Sequence, residues 1–274
     1  ATELPPISLE PAESLGNRAP WRGADGGGRA LRVCTTGDYP PLTSYDPSTE
    51  EFSGLAPSVL RQFGSMYNYS ITFVLTTWDA MHADLTNGTR CDLAAGGIAD
   101  TEDRRSRFGV SVPVLTYKKV PLFSKENEAV FQTLDDINRT GVTILECEGS
   151  ANEVFVRELQ RQGILSAPAL EVLPSSKEVF ACLEQYPKLP FVRFLDSTEM
   201  EYRTSLEDSG LSSAGADIEL PERLNPKIFD VYLADKSTEA GRQVLGDLDR
   251  FLMGARATGL FEGWRRVAWE TRYQ

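Results

Sequence analysis

The sequence predicts an α/β protein of two lobes, each a mainly parallel sheet flanked by helices, with a ligand cleft between them. Three observations carry this. Strands and helices alternate from Leu31 to Gly97, they alternate again from Thr133 to Asp196, and an extended β-prone segment joins the two runs. LRVCTT (31–36) is the first strand. GLAPSVLRQFGSMY (54–67) is an amphipathic helix with Leu55, Val59, Leu60 and Phe63 on its inner side. ITFVLT (71–76) reads as a strand, WDAMHADLTNG (78–88) as a helix and CDLAAGG (91–97) as a strand. VLTYKKVPLFSK (114–125) has no turn signal, as expected of chain crossing between lobes.

In the second run TLDDINRT is a helix, GVTILEC a strand, ANEVFVRELQRQG a helix and ALEVLP a strand. SSKEVFACLEQY is then a helix and PFVRFLD a strand. A polar stretch at about 203–225 reads as an irregular insertion. IFDVYLA (228–234) returns as a strand, and two C-terminal helices break near Thr258-Gly259. Residues 1–30 lack apolar periodicity and end in Gly26-Gly27-Gly28, which predicts a flexible or loosely docked arm. The expected division is therefore an arm at 1–30, a first lobe of 31–118 plus 230–274, and a second lobe of 119–229.

Composition narrows the function. The net charge of −12 argues against nucleic acid or an anionic membrane surface as partner, so an anion site must be a local cluster of Arg and Lys. No run of about twenty apolar residues occurs to span a membrane. No signal peptide is visible; the chain begins ATELPPISLE, as a mature or trimmed protein would. One histidine, His82, makes a His-based metal site or a Ser-His-Asp triad a poor reading, and a surface or half-buried residue the better one. Four widely spaced cysteines (Cys34, Cys91, Cys147, Cys182) form no CxxC motif, which disfavours zinc. Asn68, Asn87 and Asn138 begin glycosylation sequons. An even cysteine count with sequons favours a secreted, oxidised, glycosylated protein, extracellular or, in a bacterium, periplasmic. Nothing indicates an oligomer.

Polar residues at strand ends are the candidate chemistry. Asp92 to Pro113 is a strand ending at Gly96-Gly97, then a helical turn carrying Arg104, then Ser-Val-Pro. Glycine amides and an arginine one turn on can grip a carboxylate; the alternative is a solvated face of Arg104, Arg105 and Arg107. Asp38-Tyr39 is a cleft wall or a turn, and Trp78 is a wall for a ring or a core residue. Glu153 and Asn152 open a helix after Gly149. Glu153 is a dipole-stabilised surface residue or, if it faces a closed cleft, a proton donor. Asp196 and Glu199 suit an ammonium group or a helix cap.

Taken together, Thr35-Thr36-Gly37-Asp38-Tyr39, the run Gly97-Ile98…Arg104…Ser111-Val112-Pro113 and the pair Asp196…Glu199 resemble type II periplasmic solute-binding proteins of the polar amino acid group. Within that fold the chain is similar to the cyclohexadienyl dehydratases, which convert prephenate to phenylpyruvate and arogenate to phenylalanine. Thr77-Trp78, Lys119-Val120-Pro121, Phe131-Gln132-Thr133-Leu134, Gly141-Val142-Thr143 and the Gly149…Asn152-Glu153 turn carry the similarity, from Leu31 to the C-terminus.

The resemblance implies a small anionic substrate, prephenate or arogenate, and no metal or organic cofactor. It implies that Arg104 holds the substrate's side-chain carboxylate, Glu153 is the general acid, Trp78 walls the ring and Lys119 adds positive charge. Asp38, Tyr39, Gly97, Ile98 and Asn152 would line the site, and Asp196 or Glu199 would meet the ammonium or keto group. Ala151 departs from the usual hydroxyl residue, and Gly109–Val114 lacks the usual aromatic residues. On this topology the cysteines pair within lobes, 34–91 and 147–182, because a bridge between lobes would block closure. The rival function is a non-catalytic binding protein for a polar or aromatic amino acid.

Overall fold

The computed structural model describes residues 28–206, 208–213, 218, 220, 222–271 and 273. Most of the predicted arm (1–27), and Glu207, 214–217, Glu219 and Pro221 of the predicted insertion, lie outside them.

The first lobe opens with β1 (Arg29–Thr35) and a small antiparallel sheet of β2 (Asp38–Tyr39), β3 (Thr43–Asp46) and β4 (Glu51–Ser53). There follow α1 (Leu55–Tyr67), β5 (Tyr69–Leu75), α2 (Met81–Leu85), β6 (Leu93–Ala99), α3 (Glu102–Arg107), β7 (Gly109–Val110) and β8 (Leu115–Tyr117). The second lobe contains β9 (Lys119–Ser124), α4 (Leu134–Ile137), β10 (Thr143–Cys147), α5 (Ala151–Arg161), β11 (Ala169–Leu173), α6 (Ser176–Gln185), β12 (Phe191–Asp196), α7 (Ser197–Ser205) and β13 (Leu211–Ser212). The chain returns to the first lobe with β14 (Ile228–Ala234), α8 (Glu239–Ala257) and α9 (Leu260–Glu270).

Both sheets are mixed, not mainly parallel. In the first, β5, β1 and β6 run parallel, while β14 pairs antiparallel with β6, β7 and β8. In the second, β11, β10 and β12 are parallel and β9 joins antiparallel, with β13 outside it. The antiparallel strands are those that cross between lobes or return, so they enter each sheet from its other end.

Apolar spacing explains the packing. Leu55, Val59, Leu60 and Phe63 of α1 are buried against Leu248, Phe251 and Leu252 of α8 and against Trp264 of α9. Each such side chain contributes about 1.5–3 kcal/mol. Helix α1 stops where Asn68 adopts the left-handed conformation (φ 58°) and returns its N–H to the Gly64 carbonyl. The second lobe has its own core around Phe123, Phe131, Ile144, Val156, Val192 and Phe194. Ile218 and Leu220 join that core and β13 pairs with β9, so these parts of the predicted insertion are anchored.

The two crossing segments run side by side. Asn225 accepts from the Lys119 amide (2.9 Å) and donates to the Lys119 carbonyl (2.7 Å), a two-bond clamp where the lobes meet. A disulfide joins Cys34 of β1 to Cys91 just before β6. The expected 147–182 bridge is absent: both cysteines are free thiols. Cys147, at the end of β10, faces the cleft, while α6 turns Val179, Phe180 and Leu183 inward and leaves Cys182 on its flank. Among the described residues no helix is long and apolar enough to cross a membrane.

Candidate functional site

A cavity of about 230 Å³ lies between the lobes at the strand ends. From the first lobe, Asp38, Tyr39, Trp78, Gly97 and Arg104 line it. Gly97 has φ +86°, and a Cβ there would run into the Tyr39 ring, so glycine is needed for this close approach. Tyr39 meets Trp78 edge-on, with ring centroids 6.3 Å apart, giving the cavity one aromatic wall. Ile98 points the other way, fully buried in the core, because side chains alternate along β6.

Arg104 sits on α3, whose N-cap Thr101 accepts from the Arg104 amide. Its guanidinium donates to the Ala99 carbonyl (2.6 Å) and to His82 Nε2 (3.4 Å), and no carboxylate pairs with it among the described residues. Burial, then the Arg104 and Arg107 charges, hold the His82 imidazole below its ordinary range, in the neutral form that accepts this bond. The sequence reading of His82 as half-buried fits, but the ring also lines the cavity.

Lys119, Asn152, Asp196 and Glu199 line the cavity from the second lobe. Lys119 is buried, and its ammonium binds Asn152 Oδ1 and Asp196 Oδ1. Burial draws Lys119 down to about 8 and pushes Asp196 well up, so the pair carries no net charge whether ionised or neutral. The positive charge expected of Lys119 is thus spent within the protein. Asp196 occupies the N-cap position of α7 but makes no capping bond; its other oxygen accepts from the Tyr39 hydroxyl across the cleft. Glu199 is buried. Its Oε1 accepts from Arg203 (3.1 and 3.3 Å), while Oε2 has no hydrogen bond among the described residues.

Glu153 is not in the cavity wall, contrary to the expectation that it faces the cleft. Ser150-Ala151-Asn152-Glu153 has the spacing of a capping box, but only the Ser150 half forms, since the Ser150 amide donates to the Cys147 carbonyl. Ser150 Oγ accepts from the Glu153 amide (3.0 Å), and Glu153 accepts from the Gly149 amide (2.9 Å) and from Arg157 (2.7 Å). The helix start consumes the carboxylate.

The family model for bacterial extracellular solute-binding proteins, family 3, matches residues 31–262. The chain belongs to this family. A cyclohexadienyl dehydratase of Pseudomonas aeruginosa is 33% identical over 139 residues, 50% of this chain and 51% of that protein, so the match spans about half of each. Among solved structures, an ancestral amino acid-binding protein, a precursor of cyclohexadienyl dehydratase, superposes with a TM-score of 0.73 at 18% identity, covering 88% of this chain and 96% of that one. An amino acid ABC transporter substrate-binding protein from Streptococcus pneumoniae bound to L-arginine gives 0.72 at 16% identity, covering 88% and 94%. These likenesses show the type II periplasmic binding protein fold of the solute-binding family.

Several lining residues of this solute-binding protein escape a reading of strand ends: Asp79, His82, Tyr117, Ser176 and Arg193. Arg193 carried a visible signal, a cation inside the apolar strand PFVRFLD. Asn68 is exposed and Asn138 half-buried, with its Oδ1 accepting from the Ala167 amide (3.0 Å). The described residues contain no group of three His, Cys, Asp or Glu placed to hold a metal.

Proposed function

We propose that the chain is a cyclohexadienyl dehydratase acting outside the cytoplasm, which removes water and CO₂ from prephenate or arogenate. One observation carries the reading. Asp196, the carboxylate placed to receive a ligand's ammonium group, has both oxygens occupied by Lys119 and Tyr39, while Arg104, with no carboxylate partner among the described residues, and Glu199 line the cavity. A site built to hold a free amino acid would keep that carboxylate available. This one offers a cation and an acid.

In this reading Arg104 binds the substrate's side-chain carboxylate and the Tyr39–Trp78 wall holds the ring. Glu199, a carboxyl group at the cavity wall, is the general acid for the departing ring hydroxyl. The bond to the ring carboxylate breaks, CO₂ leaves, and its electron pair moves into the ring as the C–O bond breaks and water departs. Aromatisation drives the step, so the protein needs only to orient the substrate and deliver one proton. The Arg203 guanidinium then stabilises the Glu199 carboxylate until solvent reprotonates it. The acid role expected of Glu153 passes to Glu199, because Glu153 lies outside the cavity wall.

A second reading, a binding protein for an amino acid, is favoured by the arginine-bound structural relative and by Asp38 and Asp79 at the cavity wall. Incubation with prephenate separates the two. The dehydratase reading expects phenylpyruvate to accumulate with turnover; thermal stabilisation without product supports binding alone.

A further inference from the structure

Arg193 is the residue of this cavity that the proposed chemistry leaves unused. It projects from β12, is 2% exposed and lines the cavity beside Ser176 and Cys147. Its Nη2 donates to Ser176 Oγ (3.0 Å), at the first residue of the ten-residue helix α6. Its Nε and Nη1 are buried with no hydrogen-bond partner. The facing carboxylate, Glu146 of β10, stands 3.9 Å from Nε, and its Oε2 is unpartnered as well. Glu146 Oε1 is bound instead to the Phe194 amide (2.8 Å).

A buried guanidinium with unmade hydrogen bonds is costly unless a ligand completes it. Its position is nonetheless fixed. The Phe180 ring lies 4.5 Å from its Cζ, and Ser176 holds one nitrogen at the cavity wall. Burial pushes the Glu146 carboxyl up, which weakens its pairing with Arg193. The start of α6 adds its own preference for negative charge at the same place. Lys119 does not compete, since its charge is held by Asp196.

We propose that Arg193, with Ser176 and the start of α6, is a second carboxylate anchor. The cleft then selects a ligand with two carboxylates, one on Arg104 from the first lobe and one on Arg193 from the second. This deepens the dehydratase reading and rests on it for the choice of ligand class. Anchors on opposite lobes also tie recognition of the second carboxylate to lobe closure.

Equilibrium binding with unreactive aromatic acids tests the proposal apart from turnover. At pH 7, calorimetry compares 3-(4-carboxyphenyl)propanoate, a diacid, with 3-phenylpropanoate, its monoacid counterpart. The folded protein should prefer the diacid by about tenfold or more, the worth of one charge-assisted contact. The double variant Glu146→Gln/Arg193→Gln removes the pair without stranding either charge, and should bring the preference within about twofold. Glu146→Gln alone should keep or increase it. A double variant that keeps the preference, a Glu146→Gln variant that loses it, or a wild-type protein with no preference would each overturn the anchor. Absence of phenylpyruvate formation with the diacid preference intact would count against the dehydratase reading alone.

Discussion

Glu153 and Glu199 both lie within the first turn of a helix beside the cleft, yet their neighbours give them different roles. Glu153 has both oxygens occupied, by the Gly149 amide and Arg157, and closes the start of α5. Glu199 lines the cavity, with one oxygen on Arg203 and the other without a hydrogen bond among the described residues. Glu153→Gln should therefore cost about 1 kcal/mol of stability or less and leave kcat within a few-fold of wild type, read by denaturation and steady-state rates. A complete loss of kcat in that variant would restore Glu153 as the acid. In the proposed reading Arg104, whose guanidinium has no carboxylate partner among the described residues, meets the ligand, so Arg104→Ala should raise KM about 30-fold or more, a loss of ~2 kcal/mol. An unchanged KM would remove it from the site. The place of Arg104, Trp78 and Lys119 in the cavity wall was legible because polar or aromatic residues where strands end are conspicuous. The state of Lys119 was not, since its neutralisation depends on Asp196 being 77 residues away in sequence yet adjacent in space. The contacts of Glu153 were not legible, because a carboxylate held at a helix start and one turned to the cleft produce the same one-dimensional pattern.

At the scale of elements, most strands and helices follow from apolar spacing, and the crossing at Tyr117–Lys119 follows from the missing turn signal. The small sheet β2–β3–β4 was not legible. Its strands are two to four residues long, too short for alternation to show, and Pro40-Pro41 reads as a turn. The mixed order of the sheets was hidden too, because strand direction depends on where the crossing chain enters. The disulfide pairing was half legible: Cys34 and Cys91 lie at neighbouring strands, but facing of Cys147 and Cys182 is set by side-chain direction. Thiol titration of the denatured, unreduced protein should accordingly give two free thiols; none would restore the 147–182 bridge. Replacing Cys34 and Cys91 by serine opens a 57-residue loop and should cost about 4 kcal/mol in the loop-entropy picture, whereas Cys182→Ser should cost little. Equal losses would contradict this assignment.

Across the whole molecule, buried charge gathers where the lobes meet. Asp230 on β14 is the clearest case, with both carboxylate oxygens buried and unpartnered and burial pushing it up to about 7. Because the folded value lies above the unfolded one, its favourable contribution is complete below about pH 4 and is lost as pH rises through about 7. Asp230→Asn should therefore be more stable than wild type at pH 8.5, by up to about 4 kcal/mol, with the gap closing towards pH 4. A gap independent of pH in chemical denaturation would contradict that. The same junction carries Asn225 clamped to Lys119 and Tyr39 bonded to Asp196 across the cleft, which hold the lobes together around the cavity. The proposed dehydratase chemistry needs a carboxyl group at the wall of this cavity, and Glu199 supplies one. The most direct measurement is the rate of phenylpyruvate formation from prephenate by the wild-type protein and by Glu199→Gln. The account predicts turnover by the wild type and a loss of at least about 100-fold in Glu199→Gln, with ligand binding retained. Turnover undiminished in Glu199→Gln, or no turnover by the wild type, would contradict it.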